Sequence, residues 1–217
     1  MEPYSPISEV TKQPPFEMPK DRTRVFLIRH AHAYDGQGLQ MQDSELSKEG
    51  LWQAKQLSKR LKAVPVDKIY SSPTKRALQT ARIVAKAHPH AKIKVEDYLQ
   101  ELFWEFWPEL GNFHYDHAQE LETKLGVDDQ LKMLGAVQKK GLDILGRLYN
   151  ENKGKAIFVF THGNLIRSVV SAVMESGIKG FLSLEVNLAS ITILDLSEDT
   201  YRIVTVSDGC HTLHPNK

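Results

Sequence analysis

The sequence holds a single cysteine, Cys210, in 217 residues. Intramolecular disulfides are thereby excluded and a thiolate metal cluster is implausible; a reducing compartment is the matching expectation. Charge of one sign is also missing, because 28 basic against 27 acidic residues leave a formal net charge of +1. Neither nucleic acid nor an anionic membrane surface is therefore expected as a main partner, although a local cluster of cations is untouched by that balance. No apolar run approaches the ~20 residues that a membrane helix needs. The amino terminus lacks the apolar core of a signal peptide, since Pro3, Pro6, Pro14, Pro15 and Pro19 interrupt it. Cytoplasm is the expected location.

What is present reads as one folded unit. Residues 1–22 carry five of the ten prolines and no periodicity, so they read as a flexible arm; the domain spans 23–210 and a short tail covers 211–217. Val25-Phe26-Leu27-Ile28 is a continuous apolar run suited to a strand buried on both faces. Ser47 can cap a helix through about Lys62, with Leu51, Ala54, Leu57 and Leu61 as its apolar stripe. Val66 to Tyr70 is a short strand. Ser72-Pro73 then predicts a helix start, serine as N-cap and proline at the first helical position, with the helix running to about Ala87. Ile93–Val95 is a strand, Asp128–Tyr149 a helix weakened by glycines, and Ala156–Phe160 a second buried strand. A helix to about Met174 follows Thr161-His162-Gly163, and strands at Ile191–Leu194 and Arg202–Val206 close the series. Residues 101–117 fit no element. Alternation of strands and helices predicts an α/β fold, a single-domain three-layer α/β/α arrangement with a mostly parallel central sheet.

Three places could carry chemistry. Arg29-His30 ends the first buried strand, and His162 ends another, just before a helix. Ligands of open parallel sheets bind at that carboxyl edge, so both histidines are candidates for one site. Arg76, with Lys75 beside it, falls in the first turn of the helix after Ser72-Pro73. A cation there opposes the helix dipole unless an anion joins them, and the guanidinium fork suits phosphate oxygens. Taken singly, each residue also has a plain structural explanation: a surface salt bridge, a buried structural histidine, a solvated helix side chain.

Taken together they match a pattern. Val-Phe-Leu-Ile-Arg-His at 25–30, Leu46-Ser47-x-x-Gly50-x-x-Gln53-Ala54, Ser71-Ser72-Pro73-x-x-Arg76-Ala77-x-Gln79-Thr80-Ala81 and Phe158-Val159-Phe160-Thr161-His162-Gly163-x-x-Ile166-Arg167 occur in the order and spacing of the histidine phosphatase superfamily, the phosphoglycerate-mutase-like proteins. The chain resembles that family over roughly residues 24–206. The resemblance implies a phosphatase in which His30 is the nucleophile, forming a phosphohistidine that water hydrolyses. Arg29, Arg76 and His162 would bind the phosphoryl group alongside His30, with His162 acting as a protonated donor. Glu101, in Leu99-Gln100-Glu101, matches the family's general acid; Glu105 and Glu109 are substitutes nearby. A phosphorylated small molecule or phosphoprotein is the implied partner, with no cofactor and no metal.

The departures concern the loops. Ala31 stands where the family usually has glycine, which is tolerable unless that position needs a positive φ. His32 replaces a common Glu or Gln, and Gly36 a frequent Asn. Phe103-Trp104-Glu105-Phe106-Trp107-Pro108 replaces a glycine- and acid-rich segment; its aromatics suit a core, a lid over the site or the contact of a homodimer. A phosphoglycerate mutase and a phospho-ligand binding module without turnover are the other readings of the same frame. A metal hydrolase built on His30-x-His32 and Asp35 is a rival of another class, but leaves Arg29 and Arg76 without a role.

Overall fold

The computed structural model describes residues 22–34, 44–102 and 127–213. The arm, Asp35, Gly36, Glu105, Glu109 and the aromatics Phe103 to Trp107 lie outside the described residues, as do the readings made of them. Six strands form one sheet in the order β5-β4-β6-β1-β7-β8, where β1 is Thr23–Arg29, β4 Lys68–Ser71, β5 Ile93–Val95, β6 Ala156–Thr161, β7 Ile191–Leu196 and β8 Tyr201–Asp208. The pairs β5-β4, β4-β6 and β6-β1 are parallel, and β7 and β8 extend the sheet antiparallel. A small ribbon joins β2 (Ala33–Tyr34) to β3 (Glu45–Leu46).

Alternation along each buried strand divides the core between the two faces. Val25 and Leu27 of β1, with Ile157 and Val159 of β6, pack among side chains of α3 (Val127–Glu151), α4 (Gly163–Val173) and α5 (Ile178–Ser183). Phe26 and Ile28, with Phe158 and Phe160, pack on the other face against α1 (Lys48–Leu61) and α2 (Lys75–Ala85). Both faces are thus covered and the domain is three-layered α/β/α. Each fully buried leucine of this kind, such as Leu57, contributes on the order of 1.5–3 kcal/mol. Across the antiparallel seam, Arg24 and Asp195 pair through two short hydrogen bonds, 2.6 and 2.7 Å.

Two expectations for the helices are corrected. In α1 the Ser47 hydroxyl does cap, accepting from Gly50 N at 3.1 Å. The buried stripe, however, is Gly50, Ala54, Leu57 and Leu61, and Leu51 faces solvent at 42% exposure. The α1 amino terminus lies so close to the chain after His30 that a Cβ at Gly50 would sit 1.9 Å from the His32 carbonyl oxygen. In α2 the N-cap is Thr74, without a side-chain cap bond, and the helix begins at Lys75. Ser72 and Pro73 lie before it, because the Ser72 hydroxyl is engaged elsewhere.

Register decides where the site is. Arg29 pairs with Thr161 and Ser71 with Phe160, and the amides of His30 and Ser72 donate to Thr161 O and Phe160 O at 2.9 Å each. His30, His162 and Ser72 therefore leave three adjacent strands at one level of the carboxyl edge.

Candidate active site

His30 is buried, and its two ring nitrogens have different partners. Nδ1 lies 2.8 Å from Ala31 O, which can only accept, so Nδ1 carries the proton. Nε2 then presents its lone pair, which accepts from Arg76 Nε at 3.1 Å. Burial first, then His162, Arg76 and Arg29, hold the imidazole well below its ordinary pKa. A neutral ring with Nε2 unprotonated is the form a nucleophile needs.

The chain around it is tied down by motif residues. Ala31 N donates to Thr80 Oγ1 at 3.1 Å, and that hydroxyl donates to Arg76 O at 2.7 Å. His32 N donates to Gln53 Oε1 at 2.9 Å, and Leu46 N to Gln79 Oε1 at 2.8 Å. Ala31 is not among the described residues with positive φ, so alanine fits there without strain. His32 Nδ1 is 2.8 Å from Ser47 Oγ, while His30 Nε2 faces a guanidinium donor. The two rings do not converge on a cation. Among the described residues no group of three or more His, Cys, Asp or Glu is placed to hold a metal ion.

Arg76 joins both histidines. Besides His30, it approaches His162 Nδ1 through Nη2 at 3.4 Å, and the two imidazoles lie 5.2 Å apart between centroids. His162 is the N-cap residue of α4 and fully buried. Its Nε2 is 2.9 Å from Ser72 Oγ and 3.4 Å from Thr74 Oγ1. Burial, then Arg76 and Arg29, place its pKa well below the ordinary value. The lowered value favours the neutral imidazole among these cations.

Arg29 passes against the amino terminus of α4, where a Cβ on Gly163 would meet its Cζ and Nε at 3.2 Å. Its Nη1 donates to Val186 O. Its Nε is buried and has no hydrogen-bond partner among the described residues. Glu101 lies at the same helix end: its carboxylate accepts from Leu102 N at 3.0 Å, Leu165 N at 3.2 Å and Asn164 N at 3.5 Å. Burial raises its pKa, and Arg29 and the three amides oppose that rise without cancelling it. All five residues picked out in the sequence thus gather at one edge. Sequence reasoning missed Ser72, Thr74 and Ala189. The hydroxyls of the first two reach His162; the last, at φ 57°, donates its N–H to His30 O at 3.2 Å. Two hydroxyls spaced Ser-x-Thr directly after a buried strand are the signal that could have found the first two. Ala189 leaves no trace in composition.

Known proteins resemble the chain in sequence and in fold. The chain is 28% identical over 208 residues to a metal-independent phosphoserine phosphatase of Arabidopsis thaliana, covering 87% of this chain and 83% of that protein. It is 25% identical over 195 residues to a 2,3-bisphosphoglycerate-dependent phosphoglycerate mutase of Thermoplasma acidophilum, covering 84% and 90%. A crystal structure of a phosphoserine phosphatase mutant from Entamoeba histolytica, in complex with phosphoserine, has the same fold with a TM-score of 0.70. At 23% identity it covers 88% of this chain and all of that one. No helix among the described residues is long and apolar enough to cross a membrane. The family model of the histidine phosphatase superfamily (branch 1) matches residues 25–209; the chain belongs to that superfamily and is a phosphatase-type enzyme of it, acting on phosphoric monoesters.

Proposed function

We propose that the protein hydrolyses a small phosphomonoester through a phosphohistidine on His30. The observation that carries this reading is the tautomer of His30: the Nδ1 proton is held by Ala31 O, leaving Nε2 unprotonated beside Arg76. Nε2 attacks phosphorus and the bond to the leaving oxygen breaks. Arg76 turns its fork from the histidines to the phosphoryl oxygens, and the unpartnered Nε–H of Arg29 supplies a further donor. Glu101, whose raised pKa favours the protonated acid, gives its proton to the leaving oxygen and later takes one from the water that splits the phosphohistidine. Every positive charge needed can come from side chains, so a chelator should leave turnover unchanged.

Phosphoserine is the first substrate to test, because the Arabidopsis relative and the Entamoeba structure carry that activity in their names. The mutase alternative predicts interconversion of phosphoglycerates with little release of phosphate; hydrolysis predicts release. The division of labour is tested through the leaving group. Glu101→Gln should slow an alkyl phosphate by on the order of 10²–10⁴-fold and a nitrophenyl phosphate much less, since only the alkoxide needs the proton. Arg76→Ala should slow both by similar large factors. Equal slowing of the two substrates by Glu101→Gln would move the acid elsewhere, with Glu105 next.

A further inference from the structure

We propose that Ser72 is a positioning residue for His162: in the tautomer that Arg76 sets, its buried hydroxyl holds the Nε2–H, so that Nδ1 meets the phosphoryl site unprotonated and takes up a proton when a phosphate dianion binds. This rests on the reading of His162 as a phosphate ligand.

The contact from Arg76 orders the protons around His162 and Ser72. A guanidinium only donates, so Nδ1, 3.4 Å from Arg76 Nη2, must be the acceptor. In a neutral imidazole the proton then sits on Nε2, which donates to Ser72 Oγ at 2.9 Å. The second lone pair of Ser72 faces Thr74 N at 3.4 Å, and its own proton goes to Thr74 Oγ1 at 3.3 Å. Ser72 and His162 are fully buried, so water offers no substitute partner. The serine that resembles a helix cap in sequence is used up by this bond, and α2 starts without a side-chain cap.

The charged and titratable groups around His162 are Arg76 from α2, Arg29 and His30 from the end of β1, and Glu101 at the amino end of α4. Two guanidinium groups oppose protonation in the free site. A phosphate dianion draws the Arg76 donors to itself and leaves the Nδ1 lone pair facing an anion. Only Nδ1–H can bond there, and with Nε2–H committed to Ser72 the new proton comes from solvent. The opposite tautomer would need none, because Nδ1–H would already face the phosphate while Ser72 donated to Nε2.

The test titrates inorganic phosphate into the wild-type protein near pH 8, by calorimetry in two buffers of different ionisation enthalpy. Nitrogen NMR of the imidazoles accompanies it. The free protein should show His162 protonated at Nε2 and bare at Nδ1. Binding should take up about one proton, so that affinity falls about tenfold per pH unit above that point. Ser72→Ala should lose most of the uptake and flatten the pH dependence, an effect that loss of packing alone would not produce. Should the alanine variant fail to fold, the NMR tautomer and the wild-type proton count decide between the two arrangements. An Nδ1–H tautomer in the free protein, uptake near zero in the wild type, or full uptake in a folded Ser72→Ala variant overturns the proposal. Failure of the underlying site reading has a separate signature, the absence of phosphate binding by the wild type, and removes this proposal with it.

Discussion

Arg29 reaches the site against the backbone of Gly163, where a methyl group would crowd it. A side chain at 163 would press on the guanidinium at 3.2 Å, forcing a shift of a few tenths of an ångström. Because a 1 Å misplacement can cost about 10²-fold, Gly163→Ala should lower kcat/KM by roughly 3–10-fold while leaving Tm nearly unchanged. Unaltered kinetics in that variant would show that Arg29 is not held to tight tolerance. At this scale the sequence was most legible where chemistry and position coincide: Arg29, His30, Arg76, His162 and Glu101 converge as their motifs imply. It was least legible where one residue type serves two purposes. Ser72 before Pro73 has the form of a helix cap, and only the register of β4 against β6 shows that its hydroxyl reaches His162 instead.

Elements were legible in kind and less so at their faces. Each strand and helix foreseen within the described residues is present, with ends shifted by a few residues; β4 runs Lys68–Ser71 and α2 ends at Ala85. The error in α1 has a physical cause. Hydrophobicity favours Leu51 for the buried stripe, but the helix amino terminus lies against the His32 backbone, and only a glycine at 50 permits that contact. Periodicity records burial and cannot record close approach. The two positions should therefore respond in opposite ways. Leu51→Lys should change stability by no more than about 0.5 kcal/mol. Gly50→Ala should cost at least about 1–3 kcal/mol, since the atom it meets is backbone. Denaturant melts of both variants check this, and a stable Gly50→Ala protein would contradict the packing.

Among the described residues, three buried histidines and the half-buried His211 set the response to pH. His30, His88, His162 and His211 all have pKa values lowered first by burial. Among the described residues, His88 Nε2 and His211 Nδ1 have no hydrogen-bond partner to favour a second proton. Such groups charge in the unfolded chain before they charge in the folded one. Stability is thus fully present above the ordinary histidine pKa of about 6.5 and is lost as pH falls below it towards the lowered folded values. Unfolding free energies between about pH 8 and 5 should decline on the acid side of that point, and His88→Phe should reduce the decline. A stability that rises on acidification would contradict neutral burial. The three layers and the parallel sheet follow from the alternation of buried strands with amphipathic helices. The antiparallel pairing of β7 with β1, and the left-handed Ala189 against the His30 carbonyl, come from long-range contacts that local pattern does not encode.

The central claim is a covalent bond between phosphorus and His30 Nε2, and it can be trapped. Enzyme mixed rapidly with labelled phosphomonoester and denatured in base should carry the label in a base-stable, acid-labile linkage, mapping to the peptide that contains His30. A folded His30→Ala variant should lose label and turnover together. Label on a serine or on no residue at all, or turnover above about 1% in that variant, where loss of a nucleophile commonly costs 10⁴-fold or more, would contradict the account.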